Sequence, residues 1–155
     1  VNSYSAILQA TPLKSVIQGT SQENFLEFRL MLEGQNAALA AERAAPEEYK
    51  QLQLIQEQLI NAQQENNYEQ IAILDRSFHE AIAAYTHNPL MITAMAAIAE
   101  TCEIQTREAL SKISVLSETI EKIVSMHQAI LDAIRNQSPA EAMTDMLNHI
   151  ADISD

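Results

Sequence analysis

Three histidines and one aspartate are the residues of this chain most able to do chemistry together. His79 follows Asp75 by four residues, so on a helix both side chains project from one face. That face adjoins Leu74, Phe78 and Ile82. His127 continues the series Ile120, Ile123, Ile130 and Ile134, and His149 stands three residues after Met146 and four before Ile153. Burying three imidazoles and a carboxylate is costly unless each finds partners. Two arrangements meet that condition. In the commoner one, each histidine is a separately hydrogen-bonded core residue. In the other, all four converge on one divalent cation, for which three imidazole nitrogens and a carboxylate oxygen are a suitable donor set: Zn²⁺ first, then Ni²⁺, Mn²⁺ or Fe²⁺. Spacing along the chain does not choose between them. His87, before Asn88 and Pro89, is expected in an exposed turn and outside the set.

Arg29 shares the inner stripe of its predicted helix with Phe25, Leu32 and Asn36. An inward guanidinium stays charged and needs an anion. Glu33, one turn later, is the internal candidate; a carboxylate ligand held bidentately is the other. Arg107 carries the same ambiguity, with Glu103 one turn earlier in the order favourable for a surface pair. Arg29, Glu33, Asn36 and Arg107 are therefore the candidate effector-binding residues. Several chemistries find no support. There is no glycine-rich phosphate loop. His79-Glu80 begins like a metalloprotease helix, but Ala83 stands where the second histidine belongs. Ser77 lies near His79 with nothing to orient the two as a catalytic pair.

The elements that must position these residues read as helices. In 155 residues there are only two glycines and four prolines, and no strand alternation. A capped start at Ser21 opens a helix running to about Ala44. Others span about Pro46–Glu65, Tyr68–Tyr85, Leu90–Lys112 and Val115–Asn136, and the last begins at Ser138-Pro139 and reaches about Ile153. Residues from Tyr4 to Gln18 form a linker or short helix interrupted at Pro12. The expectation is an all-α antiparallel bundle of six to seven helices, with residues 1–20 as linker or short helix and 21–155 as the bundle.

The formal net charge of −12 makes the chain a poor direct binder of phosphate backbones. Cys102 is the single cysteine, so neither an intrachain disulfide nor a thiolate cluster can form. It reads as a small buried apolar residue. No apolar run approaches membrane-spanning length. Acidity and the lack of a span fit a soluble cytoplasmic protein. The first residue is Val1, not methionine, which fits a piece of a longer protein.

Taken in order, these segments resemble the C-terminal effector domain of the FadR subfamily of GntR-type bacterial regulators, the FCD domain. The resemblance runs from about Pro12 to Ile153. It is carried by Leu26-Glu27-Phe28-Arg29-Leu30-Met31-Leu32-Glu33 with Ala40-Ala41-Glu42-Arg43-Ala44, and by Asp75-Arg76-Ser77-Phe78-His79-Glu80-Ala81-Ile82 with Asn88-Pro89-Leu90. His127-Gln128-Ala129-Ile130-Leu131-Asp132-Ala133-Ile134 and Ala142-Met143 leading to His149-Ile150 complete it. Each piece is weak alone; their order and separations make the combination specific. The resemblance implies that Asp75, His79, His127 and His149 bind a divalent metal inside the bundle. It implies a small organic acid as effector (a hydroxy, keto or sugar acid) and a homodimer. The stretch from Leu26 to Glu33 looks most like the lactate- and pyruvate-responsive members.

DNA would then be contacted only through an N-terminal winged helix-turn-helix domain absent from this chain, and the domain would be a sensor, not an enzyme. Two alternatives stand beside this reading. One is a metal-dependent enzyme acting on small carboxylates, with Glu33 as its only obvious base. The other is a metal-free helical interaction module.

Overall fold

The computed structural model describes residues 12–154. Among them are seven α-helices and no strand: α1 (Leu13–Gly19), α2 (Gln22–Arg43), α3 (Pro46–Gln64), α4 (Tyr68–Ala84), α5 (Pro89–Leu110), α6 (Leu116–Arg135) and α7 (Pro139–Ser154). A single 3₁₀ turn, Ile113–Val115, links α5 to α6 at the break expected between about Lys112 and Val115. The part of the expected first segment from Tyr4 to residue 11 lies outside the described residues; its remainder is α1, which starts directly after Pro12.

The helix boundaries have local causes. The Ser21 side chain accepts a hydrogen bond from the Asn24 N–H at 3.2 Å, Asn67 from Gln70 at 3.1 Å and Asn88 from Leu90 at 3.0 Å. Each satisfies a donor that the first helical turn leaves orphaned. Pro46, Pro89 and Pro139 occupy first-turn positions, where the missing N–H costs nothing. The C-terminal ends of α3, α4 and α6 lack glycine. Asn66, His87 and Gln137 take the left-handed conformation there, with φ of 55°, 54° and 53°. After α3 and α6 the next residue closes the reversed turn: Asn67 N–H donates to the Ala62 carbonyl and Ser138 N–H to that of Ala133.

The helices form one antiparallel bundle in which α2 packs most extensively on α7 and also touches α4, α5 and α6. Gly34 allows that approach: a Cβ there would stand 2.9 Å from Cδ2 of Leu147 on α7. The buried faces follow the apolar stripes. Leu52, Phe78, Ile82, Ile130, Leu131, Met146 and Ile150 join one core cluster, and Leu59, Ile71 and Ile123 belong to another. Each such side chain contributes about 1.5–3 kcal/mol by leaving water. This apolar packing holds a polar centre that α2, α4, α5, α6 and α7 all supply.

Candidate metal centre

Helix α4 carries Asp75 and His79 one turn apart, both on the side where Ile71, Leu74, Phe78 and Ile82 are buried. His127 lies in the buried row of α6 between Ile123 and Ile130, and His149 lies beside Ile150 on α7. All four side chains are buried, His127 completely. The three helices aim them at one another, and one donor atom from each falls within 4.8 Å of all the others.

The converging atoms are the three histidine Nε2 nitrogens and Oδ1 of Asp75. His79 and His127 each place Nε2 3.2 Å from that of His149. Asp75 Oδ1 stands 2.9 Å from His127 Nε2, 3.4 Å from His79 Nε2 and 4.0 Å from His149 Nε2. It is buried and accepts no well-directed hydrogen bond. A buried carboxylate oxygen without a directed donor carries a desolvation cost. A cation about 2.0–2.2 Å from each donor separates neighbouring donors by about 2.8–3.6 Å, from octahedral to tetrahedral arrangements. The shorter distances match that spacing. The 4.0 Å pair is wider than a tetrahedral edge. The donor set is of the hard-to-borderline kind that takes first-row divalent ions.

The surroundings orient these donors. Thr106 on α5 donates its hydroxyl proton to Asp75 Oδ2 at 2.8 Å, which leaves Oδ1 for the centre. Phe78 stacks on His127, with centroids 3.9 Å apart and planes 7° from parallel. His79 Nδ1 lies 2.5 Å from Glu33 Oε1, and the other oxygen of Glu33 accepts from Arg29 Nε at 2.6 Å. Both Arg29 and Glu33 are buried.

Charge is managed inside this network. Burial opposes ionisation of Asp75, yet His79 and His127 hold its carboxyl well below its usual value. Burial also opposes ionisation of Glu33, and His79 with Arg29 overrides it to about 2. Burial alone would lower His79, but the Glu33 and Asp75 carboxylates raise it to about 9. His127 is lowered by burial. His149 falls well below its usual value through burial and the neighbouring imidazoles.

The effector-binding candidates separate. Arg29 reaches a cavity of about 360 Å³ between the start of α2 and the ends of α5 and α7, lined also by Leu26, Gln105, Lys112 and Ile153. None of the four clustered residues lines it. Arg29 Nη1 also approaches Gln105 Oε1 at 3.4 Å. Glu33 bridges Arg29 and His79. Asn36 is buried with neither side-chain polar atom bonded. Arg107 is not brought to the cluster: it pairs with Glu69 and Glu103 in the half-exposed outer layer of α5.

His87 is exposed, as its turn suggests, and its Nε2 lies 2.8 Å from Glu48 Oε1. Cys102 is buried, and burial pushes its thiol up to about 12. Sequence reasoning missed Thr106 and the contact between Glu33 and His79. Thr106 was within reach, since it continues the inner row Met95, Ile98 and Cys102 of α5.

The family model for the FCD domain matches residues 24–152. The chain belongs to the FCD domain family. Two curated relatives, from Escherichia coli (strain K12) and Shigella flexneri, are provisionally named as L-lactate dehydrogenase operon regulatory proteins. Each is 25% identical to this FCD domain over 142 residues, covering 90% of this chain and 54% of the relative. A solved structure titled Streptococcus agalactiae GntR superposes with a TM-score of 0.70 at 24% identity, over 92% of this chain and 58% of that one. This likeness bears on the fold: the same bundle forms there. The FCD domain thus spans just over half the length of these relatives. No described helix is long and apolar enough to cross a membrane.

Proposed function

We propose that this FCD domain is the effector-sensing part of a GntR-family transcription regulator. In this reading Asp75, His79, His127 and His149 hold a divalent transition-metal ion, and a small organic acid binds beside it. The observation that carries the reading is the convergence of three Nε2 atoms and Asp75 Oδ1, an oxygen that accepts no well-directed hydrogen bond, at one point in the buried interior of the bundle. Zinc is the first choice of ion, with nickel, manganese and iron compatible with the same donors.

When bound, the ion supplies positive charge and positions open to oxygen ligands. The rest falls to the chain's own side chains. Thr106 keeps Asp75 turned, Phe78 holds the plane of His127, and Arg29 offers further N–H groups of its guanidinium to an arriving carboxylate. Such a ligand touches several helices at once. It shifts their arrangement only through different affinities for two arrangements. A hundredfold difference corresponds to about 2.7 kcal/mol of coupling. In the full-length cytoplasmic homodimer, that shift would alter how a separate N-terminal domain meets DNA. The −12 charge supports placing DNA contact outside this domain.

A binding role, not a catalytic one, is supported by Glu33. It was the one obvious base, and it is committed to Arg29 and His79. Two measurements test the proposal. Metal analysis of the purified domain is expected to find a full equivalent of a divalent ion. Calorimetric titration with hydroxy, keto and sugar acids is expected to show binding that a chelator removes. Absence of metal, with no effect of chelator on thermal unfolding, would return the histidines to the role of ordinary core residues.

A further inference from the structure

The three clustered histidines are not held alike. Each turns Nε2 toward the centre, so each needs its Nδ1 to carry the proton. For His127 and His149, Nδ1 is buried and has no hydrogen-bond partner. For His79, Nδ1 lies 2.5 Å from Glu33 Oε1. This carboxylate sits on the far side of the imidazole from the centre, so it is no direct donor to a cation there. Its second oxygen is separately engaged by Arg29, which reaches the cavity beyond.

We propose that Glu33 is a positioning residue for cation binding: it fixes the tautomer and ring orientation of His79 from behind and ties that ligand to Arg29 at the cavity. The inference rests on the metal reading above and adds to it a residue that stands behind a metal ligand and does not touch the ion. A carboxylate accepting the distal N–H of a ligand histidine raises the basicity of its other nitrogen, and loss of such a partner costs about 10–100-fold in affinity. The anchoring comes from α2, which also packs closely at Gly34 on α7, the helix that carries His149. One helix therefore serves both the cluster and the cavity.

The test uses the whole chain and two probes, Zn²⁺ by competition with a chromophoric chelator and Co²⁺ by its visible absorption. Glu33→Gln keeps the size of the side chain and an acceptor oxygen but removes the charge. The expected result is about 10–100-fold weaker Zn²⁺ binding. Glu33→Gln leaves Arg29 buried without its anion, so Arg29→Met/Glu33→Leu, which removes both charges and the acceptor together, is the second variant. It is expected to show at least the same loss together with an altered Co²⁺ spectrum, since ring orientation shapes the ligand field. Wild-type affinity in either folded variant, or a wild-type spectrum in the folded double variant, overturns the inference: equal affinity denies any contribution, and an unchanged spectrum reduces Glu33 to a distant charge. A wild-type domain that binds neither ion overturns the metal reading and the inference together.

Discussion

Two glutamate–histidine pairs of nearly equal geometry sit in opposite settings. Glu33 and His79 meet at 2.5 Å with side chains 1% and 2% exposed, while Glu48 and His87 meet at 2.8 Å with side chains 20% and 54% exposed. The first pair belongs to a network of five helices; the second closes the corner between α3 and the turn after α4. The Arg29–Glu33 and Arg76–Glu80 pairs repeat the contrast at identical i,i+4 spacing, the former 4% and 1% exposed and the latter 34% and 40%. What differs is access to water. A buried partner cannot be replaced by solvent, so its removal strands a charge. At the surface, water takes the partner's place, and the pair contributes about 0–1 kcal/mol.

The contrast can be broken most directly at the centre. His127→Ala removes one of four converging donors and the ring stacked on Phe78. Metal content is expected to fall from a full equivalent to near zero, measured on the purified variant. Full occupancy would show that His127 is no ligand.

Second in size is the matched pair of arginines. Arg29→Met is expected to lose about 3–5 kcal/mol in urea unfolding because Glu33 is left buried and charged. Arg76→Met is expected to lose less than about 1 kcal/mol. Equal losses would mean that burial does not separate the two pairs.

A third effect is the pH dependence of the metal-stripped domain. His79 is raised to about 9 by Glu33 and Asp75, against burial. Its contribution is full below the unfolded value of about 6.5 and is lost as pH rises through about 9. His127 and His149 are lowered by burial. They refuse protons that the unfolded chain takes up, so stability also falls below about 6.5. The thermal midpoint with chelator present is expected to peak near that pH and decline on both sides. A midpoint flat from pH 6 to 9 would contradict the buried charge arrangement.

The smallest effect belongs to the corner. His87→Asn keeps a residue that tolerates the left-handed backbone at φ 54° and removes the pair with Glu48. Stability is expected to change by less than about 1 kcal/mol, with metal content untouched. A change in metal content would connect the corner to the centre.

Much of the fold was legible from periodicity. The stripe through Ile120, Ile123, His127, Ile130 and Ile134 is the buried face of α6, and Ser21, Pro46 and Pro139 mark helix starts where expected. The inward side chains of Asp75, His79, His127 and His149 were legible for the same reason: helical spacing fixes which face a residue occupies. The break between Lys112 and Val115 was legible too, but not that a 3₁₀ turn fills it, because no glycine or proline marks its conformation. Arg107 could not be told from Arg29 by spacing, since each has a glutamate four residues away.

By itself, then, the sequence determined the helices, their inner faces, the acidic surface and the donor types that face inward, because these depend on local backbone geometry and composition. Only the tertiary structure decided that the four donors meet, that Glu33 stands behind His79, and that Arg107 stays outside with Glu69. Those outcomes depend on how α2, α4, α5, α6 and α7 pack across gaps of dozens of residues. The close approach at Gly34 and the shape of the apolar core set that packing, and no spacing along the chain encodes it.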